Sequence, residues 1–527
     1  MNKVLKLIDI KNILESRVAN SKFTTLKSLP QPDSFKDIQK ATDRIITAIN
    51  NHETINIVGD YDADGIVSTT IMIEFFSALG VDVNYIIPNR FEHGYGLSPL
   101  ILEQIYDGII ITVDNGISAF EAGQICKQRG LDLIITDHHT VGETLPEAYA
   151  IINPKQDDCN FPYKDICGAL VAWYLCANIK KTLKFQYNLM GLFDILCIAI
   201  VADIMPMVSI NQTIVKAGLK AFINSTRPSI VALKERFDLK TINEEDIGFK
   251  IAPLINCAGR MADPHIALEF LLSFDIYEAN MQLDYLLELN EQRKEDQLQI
   301  FNEAKLQVEP EDNVIVVSSK NWNEGIIGIV ASKLCDKYKK PAFVFSIDNS
   351  IAKASSRSTP DIHLYNLIKS CDSIIPKYGG HKQAAGLSIK ATDLAQLKTL
   401  LNTNILTMEK EDISDSYNSL GVLMLKDVGA ELYNLIESFR PFGQENSYPL
   451  FTFNNITILQ SNKIGKNKEY QKLVVTDGMV TVDILVFIDI ETLQPNQTIN
   501  FIGTISQSIF RGDTTYNIHM KELKHIY

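Results

Sequence analysis

Between residues 55 and 136, short runs of apolar residues alternate with longer segments whose apolar residues recur at helical spacing. The runs have the length of buried strands, and the longer segments are typical of amphipathic helices. Apolar strands that alternate with helices indicate a parallel sheet covered by helices on both faces. The predicted strands are 55–59, 81–87, 109–113 and 131–136, and the predicted helices are 66–79, 98–105 and 118–129.

The pattern on either side of this region divides the chain further. Residues 1–50 predict a helical entry segment, and the first domain, 51–275, continues after its strands mainly as helices. Residues 276–308 predict one long charged helix, because no glycine or proline interrupts it between 278 and 306. A helix of this length is a rigid connector between two lobes.

Two smaller units follow the connector. Residues 309–405 again combine strands with a helix, which predicts a second, smaller α/β domain, and an acidic stretch at 409–418 marks the next boundary. Within the last unit, 406–527, five short strands favour a linker and a small barrel of the oligonucleotide-binding (OB) type. The predicted fold class is therefore α/β, with a parallel-sheet domain, a smaller α/β domain joined to it by a long helix, and a C-terminal OB-type β-barrel.

The composition indicates the cellular compartment but leaves the function open. A length of 527 residues suits three or four domains, and the net charge of −14 does not by itself suggest a nucleic-acid partner. The eight cysteines occur singly, without a C-x-x-C pair, which favours a reducing compartment. The apolar run at 189–208 contains Asp194 and Asp203, and the N-terminus lacks the apolar stretch of a signal peptide. We therefore expect no membrane span and a cytoplasmic protein.

Polar residues follow each predicted strand of the first domain. Since ligands bind beyond the carboxyl ends of parallel strands, these side chains are expected to converge on one rim. A single acid there is usually a helix cap, and Asp64 would serve as one, but capping does not account for so many. The residues are Asp60, Asp62 and Asp64 after the first strand, Arg90 after the second, Asp114 after the third, and Asp137, His138 and His139 after the fourth.

These carboxylates and imidazoles are ligands for two divalent cations, Mn²⁺ or Mg²⁺. We expect one cation at Asp62 and Asp114, assisted by Asp60, and the other at Asp64, Asp114, His138 and Asp203. Asp203 ends a strongly apolar helix, so a buried ion pair is an equal alternative for it. Two cations that share a carboxylate favour hydrolysis of a phosphoester. His139, paired with Asp137 in the same motif, is expected to contact substrate or transfer a proton.

The second domain carries the positive charge that the acidic rim lacks. Between 351 and 390 there are six Lys or Arg residues against two acids, a pattern that suits a phosphate backbone. Arg357 lies among serines, and Gly379 and Gly380 next to His381 offer exposed N–H groups to a phosphate. For each arginine alone, a surface ion pair is the alternative.

The motifs together resemble the DHH phosphoesterase superfamily, and within it the RecJ family. The resemblance covers residues 55 to about 505. It rests on Asp60-Tyr-Asp-Ala-Asp-Gly65, Asp114-Asn-Gly116, Asp137-His-His139 and Val201-Ala-Asp203, on Arg90-Phe-Glu-His-Gly-Tyr-Gly-Leu97 and Ile255-Asn-Cys-Ala-Gly-Arg260, and on Gly325-Ile-Ile-Gly328, Ser355-Ser-Arg-Ser358 and Gly379-Gly-His-Lys-Gln-Ala-Ala-Gly386.

The resemblance implies a metal-dependent exonuclease that degrades single-stranded DNA from the 5′ end to mononucleotides in recombination and repair. It implies that Ser355, Arg357, Arg90 and Arg260 hold the terminal 5′-phosphate or the scissile group. A single-strand-binding protein and a helicase are the implied partners, and we expect a monomer. The alternative is a DHH hydrolase of short oligoribonucleotides or cyclic dinucleotides, for which a strand-guiding barrel is unnecessary.

Two positions depart from the family pattern. Val58 stands where some members carry a histidine, which gives Asp60 more weight as a ligand. Asn323 follows Trp322 where a histidine is expected.

Overall fold

The computed structural model describes residues 3–19, 21–408, 418–510 and 512–526. These residues form two α/β domains, a helix that connects them and a closed barrel, which confirms the predicted fold class. The predicted boundary at 409–418 lies, apart from residue 418, outside the described residues.

The first domain is built on a five-stranded sheet with the order β2-β1-β3-β4-β5. Every neighbouring pair is parallel, so all carboxyl ends meet at one edge. The sequence pattern missed β5 because three residues are too few to show a period. The strands are β1 (Ile55–Val58), β2 (Asn84–Ile86), β3 (Ile109–Val113), β4 (Asp132–Thr136) and β5 (Ala150–Ile152).

Helices cover both faces of this sheet, as predicted. Ile55 and Ile57 belong to the larger apolar core on one face of the sheet. Because side chains alternate between the two faces along a strand, Val58 and Ile110 belong to a second apolar core on the opposite face. The helices to the end of this domain are α1 (Leu7–Val18), α2 (Ile38–Asn50), α3 (Ala63–Ala78), α4 (Pro99–Leu102), α5 (Phe120–Arg129), α6 (Gly168–Leu183), α7 (Phe193–Ala202), α8 (Ser209–Asn224), α9 (Pro228–Arg236), α10 (Glu244–Asp246), α11 (Ala252–Met261) and α12 (His265–Leu272).

A buried ion-pair network fixes the most apolar helix, α7. Its Asp194 is 3% exposed and accepts hydrogen bonds from Ser225 Oγ at 2.6 Å and Arg227 Nε at 3.2 Å. Arg227 also pairs with Glu74 on α3. The charge inside the apolar run is thus neutralised within the domain. No helix in the described part of the chain is both long and apolar enough to cross a membrane.

The connector is one helix, α13 (Ile276–Lys305), begun by the Asp275 side chain, which accepts a hydrogen bond from Glu278 N at 2.9 Å. Its 30 residues span about 45 Å. Leu283 and Leu286 belong to the core of the first domain, whereas Ile300 and Ala304 belong to a core of the second. The connector is therefore anchored in both domains.

The second domain has a mixed sheet with the order β6-β7-β8-β10-β9. β6 and β7 are parallel and the other pairs are antiparallel. Of its strands, the last three lie in the region predicted only as a basic patch. The elements are β6 (Ile315–Ser319), α14 (Ile327–Tyr338), β7 (Ala342–Asp348), β8 (Ile351–Arg357), α15 (Leu364–Lys369), β9 (Lys377–Gly380), β10 (Ala384–Lys390) and α16 (Leu394–Asn404).

The C-terminal unit is a closed barrel with the order β11-β12-β13-β15-β14, preceded by α17. Met207 N donates to Gln444 O at 2.7 Å, and Phe442 N donates to Glu244 Oε1 at 2.9 Å, so the segment before the barrel is attached to the first domain. The elements are α17 (Ala430–Glu437), β11 (Phe451–Ile464), β12 (Tyr470–Thr476), β13 (Thr481–Val486), β14 (Thr498–Phe510) and β15 (Asp513–Ile526).

The predicted entry segment is divided between two units. Leu5, Ile10 and Leu14 pack in the apolar core of the barrel unit, whereas Ile38 and Ile45 on α2 pack in the core of the first domain. The N-terminal residues therefore tie the barrel to the first domain.

We predict that Arg227→Met lowers the free energy of unfolding by about 3–5 kcal/mol, because it leaves the buried Asp194 and its neighbour Glu74 without their cation. Urea denaturation measures the change. The matched control is Lys181→Met, which removes an exposed ion pair with Asp33 and is expected to cost about 1 kcal/mol or less. Equal losses in the two variants would contradict the account of α7.

Candidate active site

The carboxyl edge of the first sheet gathers the predicted acids and histidines. Asp60 follows β1, Asp114 follows β3, and Asp137 and His138 follow β4, and each of the four is at most 5% exposed. Asp62 begins α3 by accepting hydrogen bonds from Asp64 N at 2.9 Å and Gly65 N at 3.1 Å. The helix begins at residue 63, three residues before its predicted start, so Asp62 is its cap and Asp64 lies in its first turn.

Two groups of side chains at this edge are suited to hold cations. Ligand atoms of Asp60, Asp62 and Asp114 lie within 4.8 Å of one another, and so do those of Asp64, His138 and Asp203. His138 Nε2 lies 3.1 Å from Asp114 Oδ1, so Asp114 stands between the groups. A further combination, Asp114 with His138 and His139, also meets this distance. All six predicted metal ligands are thus brought into one cluster.

The start of α6 holds Asp64 in place. Gly168 N donates to Asp64 Oδ2 at 2.6 Å and Ala169 N donates to Oδ1 at 2.8 Å, since the free N–H groups of a helix start favour an anion. A Cβ atom on Gly168 would lie 2.4 Å from Asp114 Oδ1. Sequence reasoning missed this contact. The only signal for it was the pair of small residues, Gly168 and Ala169, at the start of a helix.

The cluster contains buried polar atoms without a hydrogen-bond partner in the structure, among the residues described. They are Asp60 Oδ1, Asp114 Oδ1, Asp203 Oδ2 and His138 Nδ1. Three carboxylate oxygens that accept no hydrogen bond at one buried site would be strongly unfavourable in a protein without a compensating cation. Hard oxygen ligands with one imidazole fit Mn²⁺ or Mg²⁺.

Electrostatics support the same assignment. Burial and the charge of Asp62 raise the pKa of Asp60 well above its usual value, and burial and the charge of Asp64 do the same for Asp114. Burial and the charge of Asp64 raise the pKa of Asp203 to about 8. Burial lowers the pKa of His138 to about 4, which keeps its imidazole neutral, the form that binds a metal.

His139 differs from its neighbour. Burial disfavours its cation, but the hydrogen bond between Nδ1 and Asp137 Oδ1, 2.7 Å long, outweighs burial and raises the pKa of His139 to about 9. Its Nε2 lies 3.3 Å from Tyr95 Oη. Asp137 also accepts hydrogen bonds from His138 N, His139 N and Ile117 N. Asp137 is therefore placed to orient His139.

The two departures from the family pattern have local consequences. Val58 packs in an apolar core with Leu97 and Ile101, while Asp60 lies in the acidic cluster. Asn323 Oδ1 accepts a hydrogen bond from Gly325 N at 2.7 Å and so stabilises the turn before α14.

A cavity of about 600 Å³ lies where the second domain faces Arg90 and Arg260 of the first. Among its lining residues, five are cationic and one, Glu324, is acidic and pairs with Lys353 at 3.1 Å. Five predicted substrate residues line it, namely Arg90, Arg260, Ser355, Arg357 and Gly379, and so do Lys353 and Lys377. We call it the phosphate cavity. Gly380 is the last residue of β9 and His381 follows it, and neither residue lines the cavity.

The absence of a side chain at Gly328 lets α14 lie close to Ser355 of β8 in the phosphate cavity. Arg357 donates to Ser355 Oγ at 3.2 Å, and a Cβ atom on Gly328 would lie 2.9 Å from that oxygen. Arg260 donates to Gly325 O at 3.2 Å across the two domains, and burial lowers its pKa to about 10. Buried guanidinium groups favour an anionic ligand. Sequence reasoning missed the role of Gly328, although it lies in a motif that was recognised.

The phosphate cavity adjoins the acidic cluster. Arg90 lies over the ring of Tyr61, 4.3 Å from its centroid, and Tyr61 stands between Asp60 and Asp62. A Cβ atom on Gly259, next to Arg260, would lie 2.5 Å from Tyr61 O. Both arginines therefore flank the turn that carries the acids.

We predict that Mn²⁺ raises the melting temperature of the metal-free protein by several degrees, and by more at pH 8 than at pH 6. The pKa of Asp203 is about 8 when folded and about 3.9 when unfolded, so protons stabilise the metal-free fold less as the pH rises towards 8. At pH 6 Mn²⁺ must displace those protons. Differential scanning fluorimetry measures the shift. A larger shift at pH 6, or none, would contradict the metal assignment, and Asp203→Asn is expected to reduce the pH dependence.

Comparison with known proteins identifies the same parts. Family models match residues 54–200 (DHH family, N-terminal domain), 311–407 (DHHA1 domain) and 421–522 (RecJ OB domain). The chain is 35% identical to the single-stranded-DNA-specific exonuclease RecJ of Bacillus subtilis over 90% of this chain and 62% of that protein. It is 32% identical to RecJ of Haemophilus influenzae over 88% of this chain and 86% of that protein.

A solved structure shares the fold. RecJ of Thermus thermophilus in complex with Mn²⁺ superposes with a TM-score of 0.83 at 24% identity, over 98% of this chain and 76% of that chain. The chain spans less than two thirds of the Bacillus subtilis relative, but most of the Haemophilus influenzae one. With the three family models and these identities, the chain belongs to the RecJ family of DHH-domain proteins.

Proposed function

We propose that the protein is a metal-dependent exonuclease that degrades single-stranded DNA from the 5′ end and releases 5′-mononucleotides. The observation that carries the proposal is the acidic cluster beside a cationic cavity, with Arg90 and Arg260 flanking the turn that bears Asp60 and Asp62. The relatives from Bacillus subtilis and Haemophilus influenzae are single-stranded-DNA-specific exonucleases.

The phosphate cavity accounts for the direction of digestion. Arg357, with Ser355 beside it, offers a guanidinium fork to a terminal phosphate. Arg90 and Arg260 line the same cavity and flank the turn that carries the acids. A strand held by its 5′-phosphate would place a phosphodiester near its end at the acidic cluster. Cleavage there releases one nucleotide at a time.

Asp60, Asp62 and Asp114 would hold one divalent cation, and Asp64, His138 and Asp203 would hold the other, with Asp114 shared. When bound, two such cations activate water and stabilise charge that develops on a phosphoryl group. Asp137 holds Nδ1 of His139, so Nε2 of His139 can transfer a proton or contact a substrate phosphate. Asp137 is a positioning residue in this scheme.

The chain is further proposed to act as a cytoplasmic monomer in recombination and repair. All eight cysteines are buried free thiols, which suits a reducing compartment, and one chain supplies every residue of the cluster and cavity. The proposed partners are a helicase that exposes single strands and a single-strand-binding protein that coats them.

We predict that Asp114→Asn reduces cleavage at least 1,000-fold while binding of the strand survives, because Asp114 is shared by both groups of ligands. The assay follows mononucleotide release from single strands labelled at either end in Mn²⁺, beside duplex DNA and RNA. The control is Asp82→Asn, which changes an exposed acid of the same domain. Release from the 3′ end, or equal cutting of duplex, would contradict the proposed function. Preferential cleavage of short oligoribonucleotides or cyclic dinucleotides would favour the alternative hydrolase.

We predict that Arg357→Met raises KM for a 5′-phosphorylated strand about tenfold or more with little change in kcat, since a hydrogen bond to a charged group contributes about 1.5–3 kcal/mol. The preference for a 5′-phosphate over a 5′-hydroxyl should disappear. Steady-state kinetics on the two strands measure both effects. Lys369→Met, an exposed cation outside the cavity, is the control. An unchanged preference in Arg357→Met would exclude this arginine from the terminal site.

A further inference from the structure

The connector helix α13 carries an apolar stripe on its outer face. Its inner face contributes Leu283 and Leu286 to the core of the first domain. On the opposite face, large apolar side chains recur at every fourth position and so form one ridge along the helix. They are Tyr277, Met281 and Tyr285, with exposed fractions of 80%, 57% and 44%. We call these three residues the connector stripe.

The exposure of the connector stripe is unusual for a helix on a protein surface. The outward face of such a helix is ordinarily polar, and a single exposed apolar residue needs no explanation. Here three lie in one row, and Phe274, directly before the helix cap Asp275, is 92% exposed as well. Contiguous exposed apolar surface marks a site where another molecule binds. The connector stripe is therefore a candidate docking surface.

Acidic side chains continue the same face of α13. Asp284 and Glu288 lie along one edge of the connector stripe, and Glu295 lies about five turns beyond Tyr277 on the same face. All three acids are exposed. Asp284 pairs with Arg236, whereas neither Glu288 nor Glu295 forms an ion pair within the part of the chain that the structure describes. This face thus combines apolar surface with negative charge that no cation neutralises there.

The charge of this face determines which molecules it can bind. Glu288 and Glu295 would repel a nucleic acid or a membrane that contains anionic lipids. A second copy of the chain would present the same acidic face, and like charges across an interface are unfavourable. A partner with basic residues beside an apolar surface would be attracted. Since a ridge of side chains four residues apart packs into the groove of a second helix, a helix fits this face best.

We propose that the connector stripe and the acids beyond it form a docking surface for a basic amphipathic helix of a partner protein. Apolar residues of that helix would pack on the connector stripe, and its lysines or arginines would lie opposite Glu288 and Glu295. From Tyr277 to Glu295 the surface is about 27 Å long, the length of a helix of about 18 residues. The inference goes beyond the proposed function and does not depend on it.

The test measures the binding of synthetic peptides to the full chain by fluorescence anisotropy in about 0.1 M salt. The probe is a labelled helical peptide of about 18 residues, with leucines along one face and lysines beside them. One matched peptide has glutamates in place of the lysines. Another has the composition of the probe in an order that removes the apolar face. The native chain should bind the probe about tenfold or more tightly than it binds either matched peptide.

Substitutions on α13 separate the two parts of the surface. Met281→Asp places a charge in the middle of the connector stripe and should weaken binding of the probe about tenfold or more. Glu288→Lys combined with Glu295→Lys should also weaken it, and should strengthen binding of the glutamate peptide. The control is Tyr106→Asp, since Tyr106 is 83% exposed and lies outside α13, and this variant should bind the probe as the native chain does. Melting temperatures verify that each variant is folded.

Several results would overturn the inference. They are no binding of the probe, equal binding of the three peptides, and unchanged binding of the probe in Met281→Asp. Self-association of the native chain that is lost in Met281→Asp, measured by sedimentation, would assign the connector stripe to a second copy instead. Binding to phosphatidylglycerol vesicles that is lost in the same variant would assign it to a lipid surface. Cleavage of single strands by the native chain tests the proposed function separately from all of these outcomes.

Discussion

Repulsion among buried carboxylates at one edge of a parallel sheet is the constraint on which the rest of the structure depends. Asp60, Asp64 and Asp114 are each 2% exposed, and burial raises the pKa of all three. The fold relieves part of this cost through the N–H groups at the start of α6, which bind Asp64. The oxygens of Asp60, Asp114 and Asp203 that accept no hydrogen bond are the reason to expect cations there.

The second domain complements this acidic edge. A DNA strand carries a negative charge on every phosphate, so an acidic cluster without cations would repel it. The connector helix is packed into both domains and holds cationic residues of the second opposite Arg90 and Arg260 of the first. In the proposed function the first domain supplies the ligands of the cations, and both domains supply cationic residues for the strand. The close contact between Gly325 and Arg260 joins the two domains.

The parts that sequence predicts well are those with a local signal. Strand β3 is found at its predicted residues because a run of five residues, four of them apolar and β-branched, is followed by Asp114. The acids and histidines could be placed on one rim because parallel strands share a carboxyl edge. Sequence alone missed the anchoring of Asp64 by Gly168 and the role of Gly328, since both depend on which segments meet in space. It also missed the strained backbone at Ile204, where φ is +54°, because a β-branched residue does not indicate such a conformation.

The basic segment of the second domain is a further example of what the sequence alone does not predict. The charge pattern predicts a phosphate-binding region at residues 351–390, but the segment forms three strands, and their register decides which residues face the cavity. Gly379 lines it, whereas Gly380, the next residue of β9, and His381, which follows that strand, do not. Residue types predicted the chemistry, and only the tertiary structure separates lining residues from their neighbours.

The positions at which cations bind test the proposed active site most directly. Anomalous diffraction at the manganese absorption edge, from crystals grown or soaked in Mn²⁺, locates them without reference to activity. The account predicts two maxima, one among Asp60, Asp62 and Asp114 and the other among Asp64, His138 and Asp203. A cluster without manganese, or manganese bound only elsewhere on the protein, would contradict it.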